Sequence, residues 1–168
     1  MDINLYKNGI LESAKDLEES SVYSFKGHYN SSDIWIIIKR VLSFFSIVLA
    51  SLASISAFKD SLITSGILSA ITAIISGITV FLNPDECIKS HKNAGDNFLS
   101  LSRRLRHFWK VDLLKFSEED ARKELNIFSN EYDKLVKDSR PICQLAYKSA
   151  KKNIESGGNE FNTDKKDN

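Results

Sequence analysis

Cys87 and His91 stand four residues apart, which puts a thiol and an imidazole on one side of a helix, the first half of a metal site. The second half is missing. Neither His28 nor His107 has a neighbouring cysteine, histidine or carboxylate at ligand spacing. Cys87 and His91 also lie on an apolar stripe, so packing or a hydrogen bond between helices is expected there instead of zinc. Glu118, Glu119, Asp120 and Glu124 read as a helix start followed by a solvated face. Arg103, Arg104, Arg106 and Lys110 form a basic cluster of the kind that meets lipid phosphates or a nucleotide, or that is simply solvated. There is no Gly-rich phosphate loop and no paired nucleophile and base. The expectation is a protein that is not an enzyme, with no catalytic residue, cofactor or metal and no direct binding to nucleic acid.

The remaining pattern with chemical content is a line of hydroxyls. Ser61, Ser65, Ser69, Thr72, Ser76, Thr79 and Asn83 fall within an arc of about 80° on a helical wheel, along the uncharged stretch SLITSGILSAITAIISGITVFLN. Beside them Ser65, Ser69, Ala73 and Gly77 follow a small-xxx-small spacing, with Gly66 and Ala70 close by. An earlier uncharged run, VLSFFSIVLASLASISAF, repeats the theme in Ser46, Ala50 and Ser54, flanked by Ala53 and Ala57. Two readings follow. Small and hydroxylated side chains let helices approach closely and hydrogen-bond across the contact. Alternatively, helices gathered in a ring with the hydroxyl arcs inward would enclose a wet path, and without charged rings it would select little between ions. Smallness alone does not explain Thr72, Thr79 and Asn83. They tilt the balance toward lining.

The elements that position this line are set by two long apolar runs. The 168-residue chain carries a formal net charge of +1 and averages slightly polar, but that average mixes one strongly apolar quarter with charged flanks. At about 1.5 Å per residue the first run spans roughly 27 Å and the second roughly 34 Å, against a hydrocarbon core of about 30 Å. Residues 34–38 extend the first run, and Lys39 and Arg40 can snorkel. A cleaved signal peptide fits poorly, because the run starts late and a second follows at once. A buried pair of helices in a soluble core would need more apolar cover than singly striped flanking helices supply.

Only Lys59 and Asp60 separate the runs, so a hairpin with spans at about 36–58 and 61–83 is expected. Lys39 and Arg40 precede it, and Lys89, Lys92, Arg103, Arg104 and Arg106 follow, which places both chain ends in the cytoplasm by the positive-inside bias. Cys87 and Cys143 are then expected as reduced thiols.

The flanks read as helices. Residues 1–32 form an amphipathic helix through Ile3, Tyr6, Ile10, Ala14, Leu17, Val22 and Phe25, with a break expected over residues 27–32. Six acidic against three basic residues up to Asp33 suit it to packing on protein better than on anionic lipid. Asn83 and Pro84 stop one helix and start the next, with Asp85 and Glu86 at its positive end. Along that helix, from residue 84 to about 110, Cys87, His91, Ala94, Phe98, Leu101, Leu105 and Phe108 repeat in steps of four and three, a coiled-coil seam. Ser117 opens a capping box with Asp120, and Ala121, Leu125, Phe128, Tyr132 and Leu135 give a second seam on a helix from 118 to about 138. An antiparallel pair buries both. Pro141 opens a shorter helix with Ile142, Leu145, Ala146, Ala150 and Ile154, and residues 156–168 read as a disordered tail. The expected fold is all-α: an amphipathic helix (1–32), a transmembrane hairpin (33–83) and a cytoplasmic helical module (84–155).

In this order (amphipathic helix, short-turn pair of spans, Asn83–Pro84 exit, His91 and Leu101 on the following seam, then the helix of Pro141 and Tyr147) the chain resembles the SLATT family. These are the SMODS and SLOG-associating two-transmembrane effector domains of bacterial conflict systems. The resemblance covers nearly all of residues 1–155 and rests on layout, not on a catalytic signature. It implies a homo-oligomeric effector of the inner membrane that opens when triggered, dissipates ion gradients and arrests an infected cell. The branch it looks most like works beside a separately encoded partner, a nucleotide-producing cyclase-like enzyme or a reverse transcriptase. With no sensor domain fused to it, the trigger is expected from outside. The resemblance carries over no catalytic residues.

Overall fold

The computed structural model describes residues 3–158, with side chains described from residue 7. The described residues are helical, with no strand among them. Five α-helices follow in order: α1 (Ile3–Phe58), α2 (Leu62–Leu82), α3 (Pro84–His107), α4 (Glu118–Asp138) and α5 (Gln144–Glu155), with one π-helical turn at Phe108–Asp112. The expected side-chain positions of Ile3 and Tyr6, and residues 159–168 of the expected tail, lie outside the described residues. Residues 156–158 close α5, where Gly157 is left-handed (φ 85°) and the Gly158 and Gly157 amides donate to the Asn153 and Ile154 carbonyls.

The chain divides into two compact units, Met1–Ser31 with Ser90–Asn168, and Ser32–Lys89. In the first, Ile10 and Ala14 of α1 join Leu101 and Leu105 of α3, Phe108, Leu113, and Ala121 and Phe128 of α4 in one core. Leu17, Trp109, Phe116, Leu125, Tyr132 and Leu135 close its edges. Ser117 caps α4 by accepting from the Asp120 amide at 3.2 Å, while its hydroxyl donates to the Asp120 carboxylate at 2.6 Å. Ala146 and Ala150 turn inward from α5, whereas Leu145, a quarter turn away, is exposed.

Two local expectations are corrected. Residues 27–32 do not break α1. Their loop-like composition sits on the buried stripe, which continues in heptad steps through Ser21, His28 and Ser31. Packing of that stripe holds the helix geometry, and the hydroxyls it buries are satisfied within the helix, Ser31 and Ser21 donating to the carbonyls four residues back at 2.9 and 2.8 Å. Pro141 does not open α5 either. It lies in the connector, and the helix starts at Gln144 behind an extended Cys143 (φ −70°, ψ 151°). Ile142 of that connector reaches Gly27, where an added Cβ would come within 2.9 Å of its Cδ1.

In the second unit, residues 32–58 of α1 bury two side chains, Ser32 and Ala53, and α2 buries none. Two helices here are long and apolar enough to cross a membrane. They are joined by a Schellman stop: Asp60 is left-handed (φ 59°), the Ser61 amide donates to the Ser56 carbonyl at 3.0 Å, and the Asp60 amide to Ala57 at 3.2 Å. Asn83, also left-handed (φ 42°), ends α2, and its carbonyl accepts the Cys87 amide at 3.3 Å as α3 begins. Lys39 donates to Asp85 at 2.6 Å.

Glycines test the packing of the first unit. A Cβ on buried Gly95 would sit 2.8 Å from the Tyr29 ring, while one on exposed Gly9 would meet nothing within 4 Å. Gly95→Ala is expected to destabilise the unit by about 1–3 kcal/mol through overpacking, and Gly9→Ala to stabilise it by about 0.5–1 kcal/mol through backbone entropy. Thermal unfolding followed by circular dichroism in detergent reads both signs.

Candidate functional site

α2 owes its sharply divided surface to an apolar sequence in which hydroxyls and glycines take fixed phases of the turn. Ser65, Leu68, Thr72, Ile75, Thr79 and Leu82, spaced three and four apart, are half-buried. On α1 the matching positions are Leu42, Ser46, Leu49, Ala53 and Ser56. A groove of about 500 Å³ runs between Ala50, Ala53, Ser54 and Ala57 on one helix and Ser65, Ser69, Thr72 and Ala73 on the other.

The hydroxyl line is therefore split. Ser65, Thr72 and Thr79 turn toward the face shared with α1, and Ser61, Ser69, Ser76 and Asn83 are exposed. Thr72 and Thr79 donate to the carbonyls of Leu68 and Ile75, at 2.9 and 2.8 Å. Their protons are satisfied without water. Among the small residues, Gly66, Ala70, Ala73 and Gly77 are exposed, and a Cβ at Gly66 or Gly77 would touch nothing within 4 Å. On α1, Ser46 is half-buried and Ala50 exposed. Around α2 the surface thus passes in sequence from the seam with α1 to Ser69 and Ser76, then to the small edge, then to Ile67, Ile71, Ile74 and Ile78.

All seven seam residues after the exit, Cys87, His91, Ala94, Phe98, Leu101, Leu105 and Phe108, are buried. Cys87 donates its thiol to the Leu82 carbonyl at 3.8 Å. Among the described residues, no three His, Cys, Asp or Glu side chains converge as metal ligands. Three members of the basic cluster are engaged by protein: Arg104 pairs with Glu131, Arg106 lies 3.8 Å from Glu18, and Lys110 sits over Trp109 at 5.2 Å. Glu18 also accepts from the Trp109 indole at 2.5 Å. Glu119 pairs with Lys123 one turn on.

Sequence reasoning left His28 without a partner. Its Nδ1 lies 3.0 Å from Nδ1 of His91, both rings are buried, and His28 stacks on Phe98 at 5.6 Å. One ring must donate and the other accept, so the accepting ring is neutral with its proton on Nε2, and protonating both rings breaks the bond. The available signal was phase: His28 falls a heptad beyond Ser21 on the α1 stripe. What that stripe would meet lay sixty-three residues away. Burial, then the charge of His91, lowers the His28 pKa from 6.5 to about 4. His91 is lowered by burial and then by Arg140. On the next residue of α1, Tyr29 donates to Asp96 at 2.7 Å, and burial and that carboxylate raise its pKa to about 12.

No family model, no curated protein and no solved structure matches the chain.

The histidine pair sets a pH dependence. The native state binds fewer protons than the unfolded chain between about pH 4 and 6.5, so stability is full above 6.5 and is lost as pH falls through that window. Thermal unfolding is expected to show about 2 kcal/mol lower stability at pH 5 than at pH 7 from His28. His28→Asn, which keeps a hydrogen-bonding partner for His91, should flatten that slope.

Proposed function

We propose that the chain is a two-pass membrane effector of the SLATT kind. In this reading, the second half of α1 and α2 cross the bacterial inner membrane as a hairpin with both ends cytoplasmic, and α3–α5 form a cytoplasmic module that receives a trigger. Several copies assemble and open a weakly selective path, which dissipates ion gradients and arrests growth during phage infection. A nucleotidyltransferase of the cyclase-like class or a reverse transcriptase supplies the trigger from a separate chain.

The observation that carries the reading is the order of surfaces around α2. One side meets α1. Roughly opposite lies an edge of Gly66, Ala70, Ala73 and Gly77 with room for a neighbouring helix. Between these two contacts stand Ser69 and Ser76, with Leu62 and Val80 near the helix ends, and on the remaining side stand isoleucines and Phe81. A helix held between α1 and a second copy would turn its exposed hydroxyls toward a common axis and its isoleucines toward lipid. The lining is then narrower than the seven-residue line: Ser69 and Ser76, with Ser61 and Asn83 at the mouths and Thr72, Thr79 and Ser65 on the shoulder.

A second reading, a non-conducting anchor whose cytoplasmic helices recruit a partner, is favoured by the internally satisfied hydroxyls of Thr72 and Thr79. Dye release from liposomes separates the two. A conducting assembly releases dye, and Ser69→Leu with Ser76→Leu should cut release at least tenfold while cross-linking still detects the oligomer. Thr72→Leu, placed against α1, should act mainly on assembly. An anchor releases no dye even unmodified.

A further inference from the structure

The first unit carries a groove of about 460 Å³, within the size range of small-ligand sites, where α1, α4 and the segment leading into α5 meet. Its walls are aromatic: Tyr23 from α1, Tyr132 from α4 and Tyr147 from α5, with Ile142 beside them. The Tyr23 and Tyr147 rings are 6.4 Å apart and tilted by 33°. The ionisable groups at its lip, apart from the phenols, are Asp16 and Glu19, both exposed and one turn apart on α1. Among the described residues neither carboxylate has an ion-pair partner. The cation nearest in sequence to Tyr23, Lys26, is held by Asn153 at 2.9 Å and the Gly158 carbonyl at 3.0 Å.

We propose that this groove binds an organic cation, an alkylammonium or guanidinium head the size of a lysine or arginine side chain. Tyrosine faces attract a cation by their ring quadrupoles, and two unpaired carboxylates at the rim add attraction of the same sign. A nucleotide phosphate meets repulsion from both carboxylates and finds no cation in the lining. A cyclic-nucleotide trigger therefore does not enter here. A basic side chain of a partner protein, or a free organic cation, does.

The groove is joined to the interior. Tyr132 meets Phe98 edge-on at 5.6 Å, Phe98 stacks on His28, and His28 bonds His91. Occupancy that moves Tyr132 thus bears directly on the ring stack between α1 and α3.

Proton NMR of the whole chain in detergent tests the assignment, independently of whether the apolar helices conduct. The probes are choline, spermidine and Nα-acetylargininamide, with dimethylbutanol as the neutral isostere of choline and cyclic AMP as competitor. The expected result is an upfield shift of choline N-methyl protons from the tyrosine ring currents and no binding of the isostere. Affinity should fall at least tenfold in Asp16→Asn with Glu19→Gln, whose exposed positions leave the core untouched. Tighter binding of the arginine derivative identifies a partner's side chain as the occupant, and tighter binding of choline or spermidine a free cation. Absence of a shift with any cation, equal binding of the isostere, unchanged affinity in the double variant, or displacement by cyclic AMP would each overturn the proposal.

Discussion

The constraint on which the structure depends is the number of apolar side chains that the chain leaves uncovered on its second half of α1 and on α2. Phe44, Ile47, Phe58, Ile63, Ile74, Val80 and Phe81 are each more than half exposed, and the whole of α2 contains no buried residue. In water each such side chain forgoes about 1.5–3 kcal/mol of burial. Several of them together exceed the net stability of an ordinary domain, about 5–15 kcal/mol. The proposed membrane supplies what the chain does not. In lipid the same surfaces are unstrained, and the forces left to organise the helices are close packing and hydroxyl bonds. The proposed bilayer setting accounts for small and hydroxylated residues at fixed phases of both apolar helices.

The first unit obeys the opposite rule, because its contacts are made by single stripes meeting one another. Ile10 and Ala14, Leu101 and Leu105, and Ala121 and Phe128 come from three helices into one core. At its end nearest the apolar helices in sequence, the stripe stops being aliphatic and becomes histidine, serine and glycine. A neutral histidine pair there is a bond of modest strength that burial makes sensitive to protonation and to ring displacement. The part of the core that adjoins the apolar helices in the chain is thus open to perturbation by protonation. The effector proposed above, which stays closed until signalled, would have its sensitive point here.

Much of this was legible in the residues themselves. The apolar runs, the Asn83–Pro84 boundary, the Ser117 cap and the seams of α3 and α4 are local patterns, written in spacing of three and four, and local patterns can be read from one strand of text. The continuity of α1 through residues 27–32 was not, because Gly, Asn and Ser favour loops by propensity, and only packing against α3 and the α5 connector overrides that preference. The partner of His28 and the meeting of Tyr23, Tyr132 and Tyr147 depend on tertiary contacts far apart in sequence. The hydroxyl line looked uniform on a wheel, since a wheel places residues by phase but does not say where the neighbouring helix stands.

The most direct test of the account is where the protein goes when peripheral contacts are stripped away. Membranes from cells expressing the full chain would be washed in alkaline carbonate and ultracentrifuged. The account predicts that the protein stays with the lipid pellet and leaves it only in detergent. Recovery of the chain in the carbonate supernatant as a soluble species would contradict it, because the uncovered apolar surfaces would then be buried against protein and not in a bilayer.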